Sequence, residues 1–140
     1  INLATRQGFF LEAVTVSESI ISERLHSFLQ KTCGLELKPA DARSLGKLTQ
    51  RWAAEFEARL ADDPTALASA KALRSDLDDW RQRRNEVVHG LVKSSAPRGG
   101  DHIDNFLGGA QHSAIEGKRI ARNVSEWVVK VRKREKLESV

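Results

Sequence analysis

The stretch Ala66–Gly90 reads ALASAKALRSDLDDWRQRRNEVVHG, and its spacing decides the fold. Apolar residues recur three and four apart at Ala66, Ala70, Leu73, Leu77 and Trp80, the stripe of an amphipathic helix. The next positions on that stripe are Arg84, Val87 and Leu91. A guanidinium therefore falls on the core-facing side, where a charge is costly unless something specific satisfies it. Sequences break their own local pattern mostly at functional or strained positions. Arg84, with His89 five residues on, is thus the first candidate for a site.

Working outward, the same periodicity predicts three further helices. The first runs from about Thr5 to Lys31, with Phe10, Val14, Ile21, Leu25 and Phe28 on one stripe, widened by Phe9, Ala13, Val16 and Ile20. Cys33-Gly34 ends it, Gly34 being available for a left-handed cap. After a connector containing Pro39, Asp41 is the expected N-cap of a second helix reaching about Leu60, with Leu45, Leu48, Trp52 and Phe56 inward. Asp63 caps the third helix and Pro64 takes its first position; that helix runs to about Val92. Residues 93–105 read as a loop, because Ser94 to Gly100 has turn chemistry and no periodicity. Asp104 is then the expected cap of a fourth helix, Phe106 to Arg134, whose seam is Leu107, Ala110, Ala114, Gly117, Ala121, Val124, Val128 and Val131. The basic run in 130–140 is expected to fray. No strand-period segment and no repeat is visible. The fold class that follows is all-α: a four-to-five-helix, mostly antiparallel bundle in one domain, 1–140.

Composition limits the function classes. A chain of 140 residues is long enough for a real core. It begins at Ile1, which leaves room for sequence upstream. It carries 23 basic and 19 acidic residues, a net charge of +4, and suits an acidic partner without demanding one. One cysteine leaves no internal disulfide framework and suits a reducing, cytoplasmic compartment. The four histidines (His26, His89, His102, His112) are scattered, so no metal or other cofactor is expected. No apolar run is long enough for a membrane span, and no signal peptide is visible.

The chemistry sits in Arg84-Asn85-Glu86-Val87-Val88-His89. Asn85 and His89 are four apart, so they share a helix face and the amide can fix the imidazole tautomer. Arg84 and His89 are five apart and diverge on a straight helix. Either the helix bends or ends near Gly90, or two copies face each other across a two-fold and line one cleft. Two imidazoles and two guanidiniums without metal suit phosphodiester chemistry on RNA. Histidine serves as general base and acid near neutral pH, and arginine binds the phosphate and its developing charge. RNA supplies the nucleophile, its 2′-hydroxyl.

This run resembles the R-x4-6-H motif of the HEPN superfamily, which often has asparagine after the arginine. The surrounding Leu77 to Gly90, a long first helix and a closing helix resemble that family's bundle as well. The resemblance implies a HEPN-type fold, a homodimer formed through the motif, and a metal-independent ribonuclease leaving a 2′,3′-cyclic phosphate. It implies Arg84 and His89 as catalytic residues with Asn85 in support; the cations around the motif, Arg81, Arg83 and Lys93, are candidates for substrate binding. It also implies a toxin or phage-defence role, often beside an antitoxin protein. One branch of the family carries R-x4-H-x-Tyr, the tyrosine being modified by the antitoxin. Here Leu91 holds that position and the chain has no tyrosine, so that form of control is excluded.

Plainer readings stand beside this one. Arg84 can snorkel, or pair with an acid on the first helix such as Glu18 or Glu23. His89 can be a helix-end residue favoured by the dipole. The motif would then belong to a catalytically inactive HEPN-like dimerisation or binding module in a toxin–antitoxin or regulatory complex. A generic nucleic-acid-binding bundle using the basic tail is the third reading.

Overall fold

The computed structural model describes the backbone of residues 3–93 and 100–138. Among the described residues it is all-α, with no strand. Five helices follow in order: α1 (Leu3–Ser27), α2 (Pro39–Ala42), α3 (Leu45–Arg59), α4 (Pro64–Lys93) and α5 (Gly100–Glu138).

α1 runs on into a widened π-turn, Phe28–Thr32, closed by Cys33 N–H donating to the Phe28 carbonyl at 3.1 Å. Gly34 follows at φ +69°, the left-handed conformation that glycine adopts without a Cβ clash. The second helix starts later than expected. Asp41 lies inside the short α2 that Pro39 opens, and the cap of α3 is Ser44, whose hydroxyl accepts from Lys47 N–H at 3.3 Å. Both residues are good caps by chemistry, and the turn at Pro39 absorbs the first. At α4, Asp63 accepts from Ala66 N–H at 3.1 Å and Pro64 is the first helical residue, as the sequence implies.

α5 begins at Gly100, so residues 100–105 of the expected loop are helical and Asp104 lies inside the helix. Residues 94–99 of that loop lie outside the described residues. The C-terminal basic run does not fray either. Arg132 donates to Ser27 Oγ (2.9 Å) and Thr32 Oγ1 (3.0 Å), Arg134 to Asp63 (2.9 Å), and Glu135 pairs with Arg59. Its charges find partners on the ends of α1, α3 and α4, and the helix is held to Glu138.

These cross-links also fix directions. α4 runs antiparallel to α5: Arg83 meets His112 near one end and Asp63 meets Arg134 at the other. It is antiparallel to α1 too, as the pairing of Arg84 with Glu18 and the groove shared by His89 and Leu11 require. α1 and α5 lie side by side in the same direction, Ser17 against Gly117 and Ser27 against Arg132.

The core holds the predicted stripes: Ile21, Leu25 and Phe28 of α1, Leu48, Trp52 and Phe56 of α3, Leu77 and Trp80 of α4, Val124 and Val128 of α5. The widening residues of α1 do not join it. Phe9, Val16 and Ile20 are 65%, 52% and 40% exposed, because they turn past the α1–α5 contact.

Gly117 is where three helices meet. A Cβ there would lie 2.8 Å from Trp80 Cζ2 and 3.1 Å from Ser17 Cβ. Trp80 is pinned in place by Nε1–H donating to the Ser113 carbonyl at 2.8 Å, so it has no room to yield. Gly117→Ala is expected to cost about 1–3 kcal/mol by overpacking, read as a Tm several degrees lower in a thermal melt. An unchanged Tm would mean that α5 shifts freely against Trp80.

Candidate active site

Arg84 stands where the α4 stripe places it, facing α1, with its side chain 15% exposed. Its charge is matched there. Nη1 pairs with Glu18 of α1, while Nε and Nη2 both donate to Asn85 Oδ1, at 3.2 and 2.7 Å. The guanidinium carbon lies 6.0 Å from the Trp80 ring centroid, a cation–π distance. Of the five N–H donors of a guanidinium, these contacts engage three and leave two. Glu18, one of the two acids the sequence offered, is the partner; Glu23 instead lies 3.4 Å from Arg24.

His89 is exposed on the next turn. α4 neither ends nor breaks before it, continuing to Lys93. Arg84 and His89 still share one groove. Its volume is about 290 Å³, and Leu11, Val14, Thr15 and Glu18 of α1 face Arg84, Asn85 and His89 of α4 across it. The two side chains diverge around α4 as their spacing requires, but α1 closes the angle between them. A second copy of the chain is not needed to bring them together. Asn85 plays a different part from the one expected. Its carbonyl oxygen serves Arg84, and among the described residues no hydrogen bond joins it to His89.

Arg83 and Arg81 do not converge on this groove. Arg83, about 100° further round α4, leans to α5 and donates to His112 Nε2 at 3.2 Å. Arg81 lies over the first turn of α3, its guanidinium against Gly46. Lys93 ends α4, and its side chain lies outside the described residues.

Other reactive groups are accounted for by their surroundings. Cys33 is half-buried, and burial pushes its thiol up to about 11, so it is no nucleophile at neutral pH. Glu116, beside Arg119 on α5, is held below the usual carboxylate range by the hydrogen bond from that arginine (2.8 Å). Among the described residues no three His, Cys, Asp or Glu side chains cluster as metal ligands. Among them, too, no helix is long and apolar enough to cross a membrane.

No protein-family model, no curated protein and no solved structure matches the chain. The groove and its chemistry therefore stand on the residues themselves.

Proposed function

We propose that this chain is a metal-independent endoribonuclease of HEPN type, working in the groove between α1 and α4. The observation that carries the reading is the convergence of Glu18, Arg84 and His89 on that one groove. Cleavage by the 2′-hydroxyl needs three things: a group to take its proton, a cation for the non-bridging oxygens, and a group to protonate the departing 5′-oxygen. Glu18, the carboxylate of an ion pair, takes the proton. Arg84 offers its two remaining N–H donors to the phosphate. His89 gives a proton to the 5′-oxygen as the P–O bond breaks. The products are a 2′,3′-cyclic phosphate and a 5′-hydroxyl. Asn85 positions Arg84. By the same resemblance the setting is a cytoplasmic toxin or phage-defence system, with an antitoxin protein as partner.

The test is incubation of the purified chain with a mixed structured RNA in EDTA, with cyclic-phosphate ends assayed. Glu18→Gln, which keeps the shape and removes the base, is expected to lower cleavage about 10²-fold or more. Equal cleavage by Glu18→Gln would remove the carboxylate from the mechanism.

One observation favours a second reading, the inactive binding module: Arg84 is already satisfied by Glu18 and Asn85. On that reading no turnover occurs at any enzyme concentration, and the RNA assay separates the two.

A further inference from the structure

Another cavity lies away from the Arg84 groove. It runs between α1 and α5, with a volume of about 630 Å³, within the range of small-ligand sites. Small side chains make its floor, Ala13 and Ser17 of α1 with Ala114 and Ala121 of α5. Phe9, Val16 and Ile20 of α1 form an apolar wall. Lys118 and Arg122, one turn apart on one face of α5, form the wall opposite.

Among the described residues, three polar groups in this cavity have no partner. Lys118 and Arg122 are exposed, and there neither makes an ion pair. Ser17 is only 6% exposed, yet among the described residues its hydroxyl makes no hydrogen bond. Other helical hydroxyls do: Thr15, Thr49 and Ser125 each donate to the carbonyl four residues back. A buried donor left unpaired is costly, and a ligand oxygen satisfies it. The three groups also lie near one level. Ser17 packs beside Gly117, and α1 and α5 run in the same direction. Lys118 follows Gly117, and Arg122 leans back toward it because helix side chains tilt to the N-terminus.

The rest of the groove is apolar and has a direction. Phe9, eight residues before Ser17, lies about 12 Å further up the α1 axis. That is close to the length of one acyl chain, which spans about half of the ~30 Å hydrocarbon core of a bilayer. Glu12 stands toward the Phe9 end and repels an anion there, so a negative head belongs at the other end. We propose that the α1–α5 groove binds a long-chain carboxylate. Ser17, Lys118 and Arg122 hold its carboxylate, and its acyl chain lies along Ala13, Val16 and Phe9. Leu11, Thr15 and Glu18 are on the opposite side of α1, so this site is separate from the Arg84–His89 groove. The inference is independent of the ribonuclease reading, and its test uses no RNA.

The experiment is isothermal titration calorimetry of the full chain with dodecanoate below its micellar concentration, with circular dichroism to verify helicity. Wild type is expected to bind one molecule with a Kd of about 100 µM or tighter. From octanoate through decanoate to dodecanoate, affinity is expected to rise about twofold per methylene, since an open groove covers each one on one side. Lys118→Glu with Arg122→Glu is expected to raise Kd at least about tenfold, and Ser17→Ala about threefold or more, with helicity unchanged. Dodecyltrimethylammonium, the same tail with a cationic head, is expected to bind at least about tenfold more weakly than dodecanoate. No saturable binding of dodecanoate at about 1 mM would overturn the proposal. So would equal affinity for the two heads, or a charge-reversed chain that binds as wild type does, since either reduces the site to a bare apolar surface. Co-sedimentation with phosphatidylglycerol vesicles, without binding of monomeric dodecanoate, would assign the surface to a membrane instead.

Discussion

With His89 replaced by alanine, RNA cleavage is expected to fall by about 10²–10⁴-fold, the usual contribution of one positioned proton-transfer group. The fold should not notice. His89 is exposed, and among the described residues no hydrogen bond or ion pair holds it. Loss of the imidazole therefore leaves the Glu18–Arg84–Asn85 cluster in place, along with whatever phosphate binding Arg84 provides. Single-turnover cleavage at saturating enzyme, read as cyclic-phosphate ends, isolates the chemical step from binding. A parallel melt should give the wild-type Tm. An unchanged cleavage rate would take His89 out of the mechanism. A slowed rate with a lowered Tm would make the residue structural instead. Arg84→Ala is the less clean variant, because it also strips Glu18 of its partner and mixes stability with chemistry.

The largest effect on stability is expected at Trp52. It is fully buried, with ring centroids 5.0 Å from Phe56 and 5.3 Å from Trp127, both edge-on. Phe28 closes the cluster at 5.0 Å from Trp127. One cluster thus joins α3 and α5 to the end of α1. Trp52→Ala removes a fully buried indole from that junction and is expected to cost about 3–5 kcal/mol, a large share of the 5–15 kcal/mol typical of a domain. Urea denaturation at constant m-value measures it. Trp52→Phe separates packing from hydrogen bonding. Among the described residues the Trp52 indole N–H has no hydrogen-bond partner, so phenylalanine loses volume alone and should cost well under half as much as alanine. Trp80 differs, since Trp80→Phe also removes the hydrogen bond that its indole N–H donates to the Ser113 carbonyl. Equal losses for Trp52→Phe and Trp52→Ala would mean that a polar contact, not packing, fixes the indole.

Much of the fold was legible in periodicity. The stripes Leu45, Leu48, Trp52, Phe56 and Ala110, Ala121, Val124, Val128 are buried as their spacing predicts, and Asp63-Pro64 opens α4 as its chemistry predicts. Boundaries were legible only where one signal stood alone. Asp41 and Ser44 both cap well, and Pro39 decides between them by making a turn of its own. The glycine- and serine-rich chemistry before Asp104 hid the start of α5 at Gly100. Phe9, Val16 and Ile20 show a deeper limit. Apolar spacing finds the faces of a helix that avoid water, but not which neighbour covers them. The site was half legible. That Arg84 faces inward follows from its own helix, and its need for an acid follows from charge. That the acid is Glu18, and that α1 closes the angle between Arg84 and His89, depend on how two helices slide along each other, which no single helix's sequence records.

The arginine and glutamate contacts near the end of α5 bear on how the chain reaches this structure. They join residues 105, 100, 76 and 71 positions apart, and each reaches a helix end made much earlier. The ends of α1, α3 and α4 are therefore left unlatched until the last helix has been synthesised. Local helix formation is fast, but closing loops of this length delays the contacts that reward it. The nascent chain is thus expected to leave the ribosome as a set of helices still exposing Trp52 and Phe28, and to become a cooperative bundle only when α5 docks.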